Sequence, residues 1–127
     1  MRIFILALAL VAGCGGKGQL TIISCGTSTC DVSNGNVCCV STSAAMCTNT
    51  NNCAGGNAQF NCLGASTCPG GVCCVNDLGA VCAKSCAAGQ KPACDTNADC
   101  EGSSCNTRFY NSASGAPLFA ISICGGP

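Results

Sequence analysis

The chain has no histidine and no tryptophan, and only 8% of its 127 residues are charged. Without histidine it has no His-based catalytic triad, no zincin motif and no c-type haem attachment motif. Five basic and five acidic side chains balance, and no basic run is present, which argues against a nucleic-acid partner. No stretch keeps helical periodicity over three turns. These absences favour a non-enzymatic protein of strands and irregular loops, with no cofactor.

Seventeen cysteines are present, yet no two of them are spaced as C-x-C or C-x-x-C. Zinc ribbons, thioredoxin-like redox sites and most iron–sulfur motifs depend on such close pairs, so we predict no metal site. An oxidised framework in an export compartment is the stronger interpretation. Residues 14–127 hold only 19 Leu, Ile, Val, Met, Phe or Tyr. At about 2–4 kcal/mol each, disulfides would supply the stability that burial does not.

The first thirteen residues are predicted to be a signal peptide. One positive charge at Arg2 precedes nine apolar residues, 3–11. This run is too short to span a bilayer, which needs about 20 residues.

The apolar run ends in Val-Ala-Gly-Cys at 11–14, which resembles the lipobox of bacterial lipoproteins. The resemblance implies a diacylglycerol on the sulfur of Cys14, a mature chain of residues 14–127, and a flexible tether over residues 14–24. Gly15, rather than Asp, after the cysteine resembles the outer-membrane-directed class. Setting Cys14 aside also leaves sixteen cysteines, an even number. The alternative is an ordinary secretory peptide cut after Gly13, with Cys14 as a free thiol.

The sixteen remaining cysteines fall into three modules, at residues 25–61, 62–93 and 94–127. Similarity extends beyond cysteine, because Gly-Thr-Ser-Thr-Cys at 26–30 matches Gly-Ala-Ser-Thr-Cys at 64–68, and Val-Cys-Cys-Val occurs at 37–40 and 72–75. Such agreement indicates an internal repeat. The third module has four cysteines where the others have six; it lacks one of the adjacent pair and the last cysteine.

Joint loss of two cysteines suggests that they are partners. Adjacent cysteines in a strand point to opposite faces, so each needs a different partner. Two assignments remain open at this point, because Cys105 can correspond to either member of the adjacent pair.

The spacing of the modules resembles that of knottin and colipase/dickkopf-type modules. That resemblance implies bonds from first to fourth, second to fifth and third to sixth cysteine. The lead pairing is then Cys25–Cys39, Cys30–Cys47, Cys38–Cys53, Cys62–Cys74, Cys68–Cys82, Cys73–Cys86, Cys94–Cys105 and Cys100–Cys124.

The predicted fold is small, disulfide-rich and mostly β or irregular, built of tandem knottin-like modules. Each module should be a short two-stranded hairpin. The Val-Cys-Cys-Val segments are rich in β-formers and bounded by turn residues, and second strands are predicted at 44–46, 79–81 and 121–123.

Three of the four aromatic residues after Cys14 lie in the third module: Phe109, Tyr110 and Phe119. One interpretation is an exposed patch that binds a partner. The other, which we favour, is a small apolar cluster that replaces the missing disulfide. On that interpretation, replacing Phe109 with alanine should reduce stability.

Two polar segments are further candidate sites. The run Asp95-Thr-Asn-Ala-Asp99-Cys-Glu101 resembles a calcium loop, but an EF-hand needs Gly at its sixth position and Glu at its twelfth, where this chain has Cys100 and Asn106. A looser calcium site and ordinary turn residues stay as alternatives. Gln-Lys-Pro at 90–92 is the only candidate for an inhibitory loop.

A lipobox followed by repeated cysteine modules resembles the cysteine-rich lipoproteins of myxobacteria and related diderm bacteria. The resemblance implies a location in the cell envelope, most simply the outer membrane, and no catalytic activity. The predicted function is structural or interactive, with the lipid in the membrane and an unidentified protein or envelope partner. The alternative is a secreted inhibitor-like or toxin-like binder.

Overall fold

The computed structural model describes residues 21–126. The predicted signal peptide, Cys14 and the tether as far as residue 20 lie outside the described residues. Within them the protein is a small β fold with eight disulfides. Its ten strands are β1 (Ile22–Cys25), β2 (Ser28–Asp31), β3 (Asn36–Val40), β4 (Ala45–Asn49), β5 (Ala58–Phe60), β6 (Val72–Asn76), β7 (Gly79–Ala83), β8 (Lys91–Pro92), β9 (Cys105–Asn111) and β10 (Pro117–Cys124).

Three antiparallel hairpins, β3–β4, β6–β7 and β9–β10, lie where the sequence predicts them. The first two contain the Val-Cys-Cys-Val segments, whose β-branched residues suit a pleated surface. Strands β1 and β2 form a further hairpin that the sequence analysis did not predict. Their two-residue connection has Gly26 first, at a φ of 62°, which a side chain would resist.

A continuous sheet of six strands, in the order β4-β3-β5-β7-β6-β8, joins the first two modules. One of its two middle strands, β5, comes from the end of the first module, after Cys53, and pairs antiparallel with β3 and parallel with β7. Gly79 permits the parallel pairing, because a Cβ there would lie 1.7 Å from the carbonyl oxygen of Gln59. The third hairpin joins this sheet through a bridge between Ala93 and Ile123.

One hydrophobic core draws on all three modules. Phe60 of β5 is fully buried at its centre. The third hairpin contributes Phe119, Ile121 and Ile123, which alternate along β10 and so share one face. Six half-cystines belong to the same cluster: Cys25, Cys30, Cys38, Cys62, Cys68 and Cys73. Sulfur atoms therefore fill much of the interior that larger aliphatic side chains would occupy in a protein of this size.

Candidate functional site

The first two modules share one disulfide order, first to third, second to fifth and fourth to sixth cysteine, and the third module makes the first two of these bonds. The observed bonds are Cys25–Cys38, Cys30–Cys47, Cys39–Cys53, Cys62–Cys73, Cys68–Cys82, Cys74–Cys86, Cys94–Cys105 and Cys100–Cys124. Four of these agree with the lead pairing: Cys30–Cys47, Cys68–Cys82, Cys94–Cys105 and Cys100–Cys124. The other four predicted bonds, Cys25–Cys39, Cys38–Cys53, Cys62–Cys74 and Cys73–Cys86, are wrong because the members of each adjacent pair exchange partners.

The partners are exchanged because the first cysteine of each adjacent pair, in β3 or β6, faces the core. Cys38 and Cys73 belong to the core cluster, as do their partners Cys25 and Cys62. Neighbouring side chains in a strand point to opposite faces, so the second cysteine of each pair faces away from this cluster. It bonds instead with a cysteine in the loop after the hairpin. Knottin-like order would require each pair to turn its other member inward.

Strand register identifies which cysteine the third module keeps. Cys38 faces Cys47 across the first hairpin, Cys73 faces Cys82 across the second, and Cys105 faces Cys124 across the third. Cys105 is therefore the third cysteine of its module, and the missing partners are the fourth and the sixth. This settles the choice that the sequence left open.

In each of two groups, three cysteine sulfur atoms lie within 4.8 Å of one another. The groups are Cys62, Cys68 and Cys73, and Cys94, Cys100 and Cys105. Each sulfur is held in a disulfide, so none is the thiolate that a metal requires. The proximity arises because the bonds from the first and second cysteines of a module cross close together.

The aromatic residues of the third module divide between two faces of the β9–β10 hairpin. Tyr110 and Phe119 pack on Phe60, with ring centroids 5.1 and 4.4 Å from it. Phe109 lies on the opposite face and is 59% exposed. The cluster interpretation therefore describes two of the three residues, and its inclusion of Phe109 is wrong. A patch of all three is also wrong, because Phe119 is 5% exposed.

Phe60 is the residue on which this cluster packs, and it was not predicted from the sequence. The sequence pattern around Phe60 gave little indication of a buried strand, because β5 has only three residues. The one available indication was that Phe60 is the sole aromatic residue between residue 20 and the third module.

A polar groove lies on the inner side of the third hairpin. Arg108 donates to Asp77 at 3.0 Å and its guanidinium lies 5.1 Å from the ring centroid of Tyr110. Burial raises the pKa of Tyr110, although the charge of Arg108 opposes the rise. The Tyr110 hydroxyl oxygen is buried and has no hydrogen-bond partner among residues 21–126. Lys91, which lines the same groove, donates to the carbonyl of Gly126.

The segment 90–92 is not a protruding loop. Lys91 and Pro92 form β8, paired with β6 at the edge of the large sheet. Gln90 accepts a hydrogen bond from the backbone N–H of Ala87 at 3.0 Å. Two of the three residues of the candidate inhibitory loop therefore belong to an edge strand. The charged side chain of Lys91 is hydrogen-bonded to the carbonyl oxygen of Gly126.

Side chains of the acidic run 95–101 accept hydrogen bonds from backbone N–H groups, both within the run and in neighbouring segments. One oxygen of Asp99 accepts from the N–H groups of Asp95 and Thr96, at 2.8 Å each. A carboxylate oxygen of Asp95 accepts from the N–H of Ser66 at 3.2 Å. Asn97 accepts from the N–H of Cys105 at 2.8 Å. This arrangement is what ordinary turn residues make.

Asp31 makes a comparable local contact in the first module. Its carboxylate accepts from the hydroxyl and from the backbone N–H of Ser33, at 2.6 and 3.0 Å. These bonds, the hydroxyl first, lower the pKa of Asp31 below its ordinary value of 3.8. The stabilisation is therefore present above that pH and is lost as the pH falls further.

Eight disulfides indicate an extracellular or cell-envelope protein, where such bonds persist. Within residues 21–126 no helix has the length and apolar character needed to cross a membrane. Comparisons with protein-family models, curated proteins and solved structures found no match to this chain.

Proposed function

We propose that the protein is a non-enzymatic lipoprotein of a diderm bacterial envelope, anchored through Cys14 and most simply directed to the outer membrane. The observation that carries this proposal is the pairing of the cysteines. All sixteen cysteines from Cys25 to Cys124 bond with one another. None is left as a partner for Cys14, and an odd cysteine in an exported protein needs a separate role. The lipobox-like Val-Ala-Gly before it supplies that role.

The proposed role of the body is structural or interactive. The chain has no histidine, and Arg108 and Lys91, two of its few basic side chains, are already bonded to other parts of the fold. The cystine-braced loops instead offer surfaces of fixed shape. We further propose that the three modules are copies of one hairpin unit, which their common disulfide order supports.

The test is the intact mass of the full chain expressed in a diderm bacterium and extracted from its membranes. We expect a chain beginning at Cys14, heavier by its lipid, and sixteen hydrogens lighter than the same chain after reduction. The control is Cys14→Ser, which should leave the membrane fraction while keeping all eight disulfides. A soluble chain cut after Gly13 with a free thiol at Cys14 would contradict the anchor and favour a secreted binder.

A further inference from the structure

An uncharged groove lies on the outer face of the third hairpin, around the exposed ring of Phe109. We call it the Phe109 groove. Its volume is about 270 Å³ and no ionisable side chain lines it. Besides Phe109 it is lined by Ser24, Gly26 and the segment 117–120, which includes the buried Phe119.

The charged side chains nearest in sequence to this groove are directed elsewhere. Arg108 neighbours Phe109 in β9, but successive residues of a strand point to opposite faces. Its guanidinium accordingly lies on the inner face, against Asp77 and Tyr110. The outer face of the hairpin carries Thr107, whose hydroxyl lies 3.3 Å from that of Ser122, and the groove. A surface of this kind has no electrostatic preference for a charged partner.

The groove also lies beside the start of the described chain. Ser24 belongs to β1, whose first residue is Ile22, and Gly26 follows that strand. Only six residues, 15–20, separate Cys14 from Thr21. Seven Cα–Cα steps span at most about 25 Å when fully extended. A lipid on Cys14 would therefore keep Thr21, three residues before Ser24 of the groove, within that distance of the bilayer.

A bilayer fits the groove better than a second copy of the chain does. A stable protein interface takes about 20–30 residues from each partner, and the groove offers one protruding aromatic ring with a few small neighbours. Trp and Tyr concentrate at the boundary between lipid headgroups and acyl chains, and Phe is among the apolar residues that interfacial segments bury there. One ring at this boundary adds little affinity to a lipid anchor, but it fixes which face of the body meets the membrane.

We propose that the Phe109 groove is a membrane-contact site, and that Phe109 enters the headgroup–acyl boundary of the bilayer that holds the Cys14 lipid. The inference rests on the proposed function for the anchor. The contact orients the body so that the outer face of the third hairpin meets the membrane and its inner face, which packs on Phe60, is directed away from it. It involves no headgroup charge, so its strength should not change with salt or with anionic lipid.

The absence of tryptophan from the chain permits a direct test. Phe109→Trp places a single fluorophore in the groove. Leu78→Trp is the matched control, since Leu78 is 71% exposed and lines a different groove, with Gln59 and Val81. Each mature chain, folded with its disulfides, is coupled at Cys14 to a maleimide phospholipid in phosphatidylcholine vesicles. Lipids with brominated acyl chains then quench any tryptophan that reaches them.

We expect bromine quenching to remove about half or more of the Phe109→Trp emission, given a burial depth of about 5–10 Å, and to leave Leu78→Trp nearly unchanged. Equal quenching of the two, or none, would overturn the inference. So would a blue shift of Phe109→Trp that depends on protein density without quenching, which would indicate contact between copies. Because the lipid is attached chemically, these outcomes are independent of whether the cell lipidates Cys14.

Discussion

The second and third hairpins have the same antiparallel fold but are stabilised by different interactions. In the second, five-residue strands are followed by the disulfide Cys74–Cys86. The third has no counterpart of that bond, and its strands are longer, at seven and eight residues. Its inner face instead places Tyr110 and Phe119 on Phe60. A local cross-link has been replaced by contact with a distant strand.

The two devices act on different states of the chain. A disulfide stabilises mainly by restricting the unfolded chain, and it ties the hairpin only to its own loop. Aromatic packing stabilises the folded state, and here it ties the third hairpin to strand β5 at the end of the first module. The comparison teaches that the module with fewest bonds is the one most dependent on the common core.

Phe60→Ala should have the largest effect, because it removes the ring on which the two inward-facing aromatic side chains of the third hairpin, Tyr110 and Phe119, pack. We expect a loss of about 3–5 kcal/mol in the free energy of unfolding, measured by denaturant with all disulfides intact. Phe109→Ala is the control and should change it by less than about 0.5 kcal/mol, since its ring is exposed. Similar losses in the two variants would show that the hairpin does not depend on its inner face.

Removing Cys74–Cys86 by a double substitution to alanine should have the next largest effect. The bond spans 12 residues, and a loop of that size contributes about 3 kcal/mol. The loss should be confined to the second hairpin, so amide hydrogen exchange in β9 and β10 should keep its protection. Loss of protection in β9 and β10 would show that the Cys74–Cys86 disulfide also stabilises the third hairpin, and that the disulfide and the aromatic packing do not act independently.

The second and third modules share a smaller feature that the first lacks. Thr67 Oγ1 accepts from the N–H groups of Leu63 and Gly64, at 3.1 and 3.3 Å, as Asp99 does from residues 95 and 96. Thr67→Val should cost about 1–3 kcal/mol, since it leaves these donors without that acceptor in a part of the fold that is mostly buried. The control is Thr29→Val, at the equivalent exposed position of the first module, where a change within about 0.5 kcal/mol is expected.

Tyr110→Phe should have the smallest effect at neutral pH, within about 1 kcal/mol, because the buried hydroxyl has no partner among the described residues. Its effect should appear in alkali. The folded-state pKa of Tyr110 is raised, so the unfolded chain loses this proton first and stability falls as the pH rises above the ordinary value of 10.0. Unfolding curves at several alkaline pH values should show a shallower decline in the variant. Parallel curves would indicate that the hydroxyl titrates normally.

Local features of the fold were predictable from sequence. The Val-Cys-Cys-Val segments form strands because their composition and flanking turns act over a few residues. Bonds from the second to the fifth cysteine, such as Cys30–Cys47, were also predicted, and the adjacent-pair ambiguity does not affect them. In the third module, Cys100–Cys124 follows the same rule.

Features that depend on distant strands were not predictable. Which cysteine of each adjacent pair faces the core depends on where the core forms. Strand β5, which lies outside every disulfide loop, helps to determine the position of the core. The matching segments at 26–30 and 64–68 show the same limit. The first becomes a turn and strand β2 because β1 is there to pair with it. The second forms a 3-10 turn, Ala65–Thr67, because the preceding strand β5 is engaged in the large sheet.

The path of β5 also decides where a protease could divide the molecule. Residues 54–61 lie outside every disulfide loop, since Cys39–Cys53 closes before them and Cys62–Cys73 opens after them. A cut inside any loop leaves its two ends covalently joined. A cut at Gly55–Gly56, two exposed residues, leaves only hydrogen bonds and side-chain packing between the halves. Residues 87–93, between Cys86 and Cys94, form a second gap of this kind. The first gap contains strand β5 of the largest sheet, so cleavage there would leave the second and third modules attached to the first by noncovalent contacts alone.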